Sequence, residues 1–268
     1  MSIFQTIILA VVEGLTEFLP ISSTGHMALV SAFMGIEKSD FTKLFIENIQ
    51  FGTILSVLVL YWRKFFDFKK LQLYVKLLIA FIPAAVLGVL FKKHIDQLIG
   101  TPLFIACTMF FGGIVLLFVD NWFRNPRIES EEKISNKNAL YIGFFQVLAV
   151  VLPGLSRSAA TIIGGMQQKL TRKAAAEFSF FLAVPTLAGA FAKSLWDAYK
   201  ETPEILTNSN ISILAIGNVI GFLVAIIAIK AFITFLTKHG FRFFGYYRII
   251  IGLIIIATIF IRGDIFLF

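Results

Sequence analysis

This sequence of 268 residues is poor in charge, in acid especially, and in cysteine. Charged side chains make up 15% of it and hydrophobic ones 58%, where an ordinary soluble domain has about 25% and about 45–50%. A water-soluble globule of this size could not hide so much apolar surface. With a mean hydropathy of +0.86, the composition indicates a polytopic membrane protein and excludes a disordered, collagen-like or coiled-coil chain. Acids number 16 against 24 bases, a net charge of +8. In a membrane chain such an excess marks loops kept on the cytoplasmic side rather than a nucleic-acid surface, so no nucleic-acid partner is expected. The single Cys107 excludes an intrachain disulfide and a cysteine-based metal cage. Lying among Phe104, Ala106 and Phe110, it reads as a packing residue. The first residues lack a basic segment, and Glu13 and Glu17 interrupt their apolar run, so no cleavable signal peptide is expected.

Long apolar runs are plentiful. A spanning helix needs about 20 mostly apolar residues, and six segments qualify: Phe41 to Trp62, Leu73 to Phe91, Thr101 to Asn121, Lys173 to Tyr199, Ile211 to Leu236 and Phe243 to Ile261. Two more stretches, Ile3 to Met34 and Ala139 to Met166, are broken near the middle by Pro20 and Pro153 and by small hydroxyl residues. Their halves are too short to cross, which suggests re-entrant helical hairpins. The order hairpin, span, span, span occurs twice. A shift of 133 residues lays Leu19-Pro20 on Leu152-Pro153 and Ser23 on Ser156. Three spans per copy is an odd number, so the second copy is expected inverted. The division is residues 1–123, a linker 124–138, and residues 139–268.

Loop charges orient the chain. Arg63, Lys64, Lys69, Lys70, Lys76, Arg124, Arg127, Lys133, Lys137, Lys169, Arg172, Lys173, Lys238, Arg242 and Arg248 fall on one side. Lys38, Lys43, Lys92, Lys93, Lys193, Lys200 and Arg262 fall on the other, fifteen against seven. The richer side is expected in the cytoplasm, with both termini outside. Lys230, near the cytoplasmic end of its span, can snorkel. Arg157 has no such outlet.

Ionisable groups inside a membrane are costly and usually functional, at about 2.5–3.5 kcal/mol each on insertion scales. The densest group lies in Glu13-Gly-Leu-Thr-Glu17-Phe-Leu-Pro20-Ile-Ser22-Ser23-Thr24-Gly25-His26. Glu13 and Glu17, four apart, share a helical face. Two such carboxylates share a proton or hold a divalent cation such as Mg²⁺ or Ca²⁺. Bonding to serines of a neighbouring helix is the structural alternative. After Pro20, the turn Ser22-Ser23-Thr24-Gly25 can face its N–H groups toward an anion. Ser23 and His26, three apart, suit an imidazole acting on a hydroxyl or on a phosphate oxygen.

The second hairpin carries Pro153-Gly154-Leu155-Ser156-Arg157-Ser158-Ala159-Ala160-Thr161. Arg157 offers a planar fork suited to phosphate, with Ser156, Ser158 and Thr161 as further donors. An internal ion pair with Glu17 or Glu13 is the structural alternative. Glu47, Gln50 and Glu177 near span ends read as solvated or capping groups, and Asn218 as an interhelical bond. His94 and His239 read as loop residues on opposite faces. One hairpin therefore supplies acids, hydroxyls and a histidine, the other an arginine and hydroxyls, as a phosphate site requires.

These residues resemble the bacterial undecaprenyl-pyrophosphate phosphatases of the bacitracin-resistance type. The resemblance rests on EGLTEFLPISSTGH at Glu13 to His26 and PGLSRSAAT at Pro153 to Thr161, and the span pattern agrees along nearly the whole chain. Ala159 departs from the glycine usual at its position. The resemblance implies hydrolysis of undecaprenyl diphosphate to the monophosphate that carries peptidoglycan precursors. It also implies a divalent cation, a site in the bacterial cell membrane open to the outer face, and bacitracin resistance. Another group of membrane lipid phosphatases places a catalytic histidine shortly after its Ser-Arg pair; here that stretch runs to Ile163 without one.

The expected mechanism places Ser23 as nucleophile activated by His26, with attack by His26 itself or by water left open. Glu13 and Glu17 hold the cation, with one of them able to act as base. Arg157, Ser22, Thr24, Gly25, Ser156, Ser158 and Thr161 hold phosphate. A polyprenyl-phosphate transporter or flippase is the main competitor, since inverted repeats and broken helices also build transporters. A passive structural membrane protein is disfavoured by the buried charges. The sequence is compatible with a homo-oligomer.

Overall fold

The computed structural model describes residues 1–67, 71–91, 95, 97–98 and 101–262. The expectations for Lys69, Lys70, Lys92, Lys93 and His94 lie outside the described residues, as does the side chain of Arg262. Ten helices of eleven residues or more are described: α1 Ile3–Thr16, α2 Ser23–Phe33, α3 Asp40–Leu60, α4 Leu71–Leu90, α5 Pro102–Trp122, α6 Asn136–Val151, α7 Arg157–Gln167, α8 Arg172–Glu201, α9 Asn208–His239 and α10 Arg242–Arg262. The described residues contain no strand, only an isolated bridge between Ile128 and Leu170.

Local chemistry sets the ends. Ser2, Ser135, Thr171 and Thr207 begin α1, α6, α8 and α9 by accepting the otherwise orphaned N–H groups of Gln5, Asn138, Ala174 and Asn210. Gly240, at φ 71°, turns α9 into α10. Asp120 fixes that corner: its Oδ2 accepts the Phe241 N–H at 2.7 Å, and its Oδ1 pairs with Arg172 Nη2 at 2.7 Å.

Six helices, α3, α4, α5, α8, α9 and α10, are long and apolar enough to cross a membrane, in agreement with the six expected spans. Pro83 and Pro185 lie inside α4 and α8 without ending them. One face of α4 bares Leu78, Ile82, Val86 and Val89, and one face of α5 bares Phe111, Val115, Phe118 and Trp122. Such stripes, at helical spacing, are lipid-facing surface. The chain is an all-α, multi-pass membrane protein.

The other four helices, of 11 to 16 residues, are each shorter than a crossing requires. α1 packs along α9, and α6 along α4; α3 lies on α9, and α8 on α4; α3 also faces α8, and α5 faces α10. Laying α1–α5 on α6–α10 maps each of these pairings onto its counterpart or onto itself, whereas the packing of α7 on α8 has no counterpart of like extent between α2 and α3. Small residues permit the closest approaches. A Cβ on Gly52 of α3 would strike the Asn218 backbone of α9, and one on Gly143 of α6 the Ala80 backbone of α4.

α1 ends at Thr16, four residues before Pro20, and its C-cap Glu17 keeps a helical backbone with its N–H on the Glu13 carbonyl at 3.0 Å; a proline forbids the helix and restricts the residue before it. Several expectations need correction. The half-helix starts equate Ser22 with Ser156, not Ser23 with Ser156. Between proline and cap the second turn has one residue more, accommodated by Gly154 at φ 91°. Arg248 and Lys76, counted as loop charges, are buried in α10 and α4, and the Lys76 ammonium donates to the Glu132 carbonyl at 2.9 Å. His239 is the last residue of α9 rather than a loop residue.

Candidate active site

Two short helices start where the chain breaks, and both do so in the same way. Ser22 at φ 70° and Ser156 at φ 77° cap α2 and α7, accepting the N–H groups of Gly25 and Ala159 on their hydroxyls at 3.3 Å. Non-glycine residues in that region carry strain of about 1–3 kcal/mol, which the surroundings must sustain. The capping leaves Ser23 and Arg157 each as the first residue of its half-helix, and the two are brought to one carboxylate.

That carboxylate is Glu17. Its Oε2 accepts the Ser23 hydroxyl at 2.5 Å, and its Oε1 accepts Arg157 Nη2 at 2.5 Å. Ser23 and Glu17 are buried and Arg157 nearly so. Arg157 Nη1 donates to the Ser179 carbonyl at 3.2 Å, while its Nε has no hydrogen-bond partner. The internal ion pair weighed from sequence is therefore present with Glu17. A fork with a spare donor can still receive an anion.

A cavity of about 270 Å³ opens at this point, lined by Glu17, Ser22, Ser23, Thr24, Ser156 and Arg157 together with Gln50, Gln146 and Thr186. Glu13, Gly25, His26, Ser158 and Thr161 are not in its wall. Ser158 donates to the Leu19 carbonyl at 2.7 Å and so fastens the second turn to the first. Thr161 donates to the Arg157 carbonyl at 2.9 Å and lies 2.6 Å from the Ser179 hydroxyl. The Gly25 N–H is taken by the Ser22 cap, and Met109 packs where a Cβ would stand. Ala159 is the matching residue of α7, buried and helical, so its departure from glycine changes no turn.

His26 does not meet Ser23's hydroxyl. Its Nδ1 lies 2.7 Å from the Ser22 carbonyl, which can only accept, so Nδ1 carries the proton; Nε2 then accepts the Tyr247 hydroxyl at 2.8 Å. The two rings stack with centroids 5.5 Å apart. Sequence reasoning missed Gln146 and Thr186 of the cavity wall and, on α10, Tyr247 and Arg248. Neither α10 residue carries a motif of its own, and an arginine six residues into a span reads as a loop charge.

Glu13 is fully buried one turn before Glu17, and neither of its carboxylate oxygens has a hydrogen-bond partner. An unsatisfied buried carboxylate is costly, so a bound proton or a cation has to compensate it. Among the described residues no three His, Cys, Asp or Glu side chains converge on one point. A divalent cation fits this pair only as Mg²⁺ or Ca²⁺ are often held, by two carboxylates with phosphate and water oxygens completing the shell.

Asn218 accepts the Gly52 N–H at 2.6 Å across α3 and α9, as expected of an interhelical bond. Glu47 accepts the Ser194 hydroxyl at 2.5 Å, and Glu177 pairs with Lys64 at 3.7 Å.

The helices and this buried site define a multi-pass membrane protein with a site of acid, hydroxyl and guanidinium groups. The model of the bacitracin resistance protein BacA family matches residues 6–254, and the chain belongs to that family. Similar curated proteins include an undecaprenyl-diphosphatase of Flavobacterium johnsoniae, 56% identical with 96% of each chain covered. Others are undecaprenyl-diphosphatases of Porphyromonas gingivalis, 49% identical over 96% of each chain, and of Bdellovibrio bacteriovorus, 44% identical over 99% of each.

Proposed function

We propose that the protein is an undecaprenyl-diphosphatase, releasing inorganic phosphate from the lipid diphosphate in the bacterial cell membrane. The observation that carries this reading is the Ser23–Glu17–Arg157 chain of contacts at the cavity wall, and the named relatives agree with it. Ser23 Oγ attacks the terminal phosphorus as Glu17 takes its proton. The bond from that phosphorus to the bridging oxygen breaks, and undecaprenyl phosphate leaves. Water then cleaves the phosphoserine to free phosphate. Arg157 and the hydroxyls of Ser22, Thr24 and Ser156 hold the charge that develops on the transferred group. Glu17 replaces His26 as the base because its carboxylate touches the hydroxyl; His26, tied to Tyr247 and Ser22, holds α2 in place.

Glu13 and Glu17 would hold the divalent cation, whose charge would offset that of the diphosphate. The prenyl chain lies along the apolar wall of a second cavity of about 530 Å³ that shares Gln50, Ile95, Val150 and Thr186 with the first; Phe81, Ala84, Gly88 and Gly189 form that wall, and Glu47, Lys193 and Asp197 line its polar part. The hairpins are re-entrant and the halves inverted, which the reciprocal helix pairing supports. Removing Arg248 and Lys76 from the cytoplasmic set leaves thirteen basic residues against seven, still a bias toward both termini outside; a site open to the outer face rests on the family resemblance.

Phosphate release from undecaprenyl diphosphate by the detergent-purified protein tests the reading. Release that requires Mg²⁺ or Ca²⁺ and stops with chelator supports it. A folded preparation that releases none would favour a polyprenyl-phosphate transporter.

A further inference from the structure

Arg248 is the largest fully buried side chain in the described chain, and it forms no ion pair there. A guanidinium has five N–H donors, and all five have carbonyl partners. Nε donates to Met109 at 3.2 Å. Nη1 donates to Leu155 at 2.6 Å and Pro20 at 3.3 Å, and Nη2 to Gly154 at 3.0 Å and Thr108 at 3.2 Å. Three of these carbonyls belong to the broken turns, one from the first and two from the second. They lie where no helix ladder supplies a donor, and they precede the two serines held at positive φ. Room for the group comes from Gly112 and Gly113, where a Cβ would press on the guanidinium or on the base of its side chain. The neighbouring Tyr247 holds His26 of α2.

We propose that Arg248 is a positioning residue for phosphoryl transfer, fixing both turns at one separation so that Ser23 with Glu17 and Arg157 meet on a single phosphate. The proposal rests on the phosphatase reading above. A lysine would keep the charge, but its three donors on one nitrogen cannot serve five carbonyls from three segments.

The experiment is Arg248→Lys in the full chain in detergent, compared with wild type for kcat, KM and backbone hydrogen exchange. The expected result is a kcat at least about 30-fold lower per folded molecule, with KM changed by no more than about threefold, since misplaced reacting groups affect the transition state most. Residues 19–25 and 153–159 exchange faster together while α3 and α9 do not. In an Arg157→Ala background the substitution adds little further loss, which a general weakening of the fold would not produce. Gly112→Ala, which crowds the guanidinium without removing it, gives the same split with a smaller loss and serves if Arg248→Lys does not fold. An unchanged kcat, or faster exchange in one turn only or throughout the chain, overturns the proposal. If wild type releases no phosphate, the phosphatase reading fails, and paired loosening of the turns still decides whether Arg248 is their clamp.

Discussion

At the scale of single residues, the site divides by what each group touches. Ser23 reaches a carboxylate and His26 does not reach Ser23. Ser23→Ala should therefore lower kcat by at least about 100-fold, whereas Tyr247→Phe, which frees His26 Nε2 and keeps the stacked ring, should cost less than about tenfold in phosphate release. Arg157→Lys should lower kcat/KM by about 100-fold, because a single ammonium cannot hold Glu17 and a phosphate as the fork does. The acids and Arg157 were legible in the sequence as charges that a membrane does not tolerate idly. The wrong partner for His26 followed from spacing: residues three apart on a helix are neighbours, but Ser23, as the first residue of α2, turns back to Glu17. Arg248 was illegible because any base near a span end reads as a loop charge.

At the scale of elements, the six spans were plain from hydropathy, since 20 or more apolar residues leave few alternatives. Pro83 and Pro185, by contrast, end no helix, because neighbouring helices in a membrane support the freed backbone. The pairing of elements was not legible. It depends on close approaches at Gly52 and Gly143 that no hydropathy pattern shows. Gly52→Val should force α3 and α9 apart and lower thermal stability in detergent by about 2 kcal/mol or more, with Asn218 losing its bond to the Gly52 N–H. Retention of the wild-type melting temperature would show that the crossing is looser than its geometry implies.

For the whole molecule, two buried sets of polar groups, one on each broken segment, meet at a single ion pair. Glu17 belongs to the first broken segment and Arg157 to the second, and each lacks its full set of partners without the other. Groups that act as a unit lose activity non-additively. The direct measurement is the initial rate of phosphate release from undecaprenyl diphosphate by wild type, Ser23→Ala, Arg157→Ala and the double variant. We expect each single variant to lose at least about 100-fold and the double variant to lose little more than the worse single one. A double loss equal to the product of the two, or a single variant within a few-fold of wild type, would contradict the account.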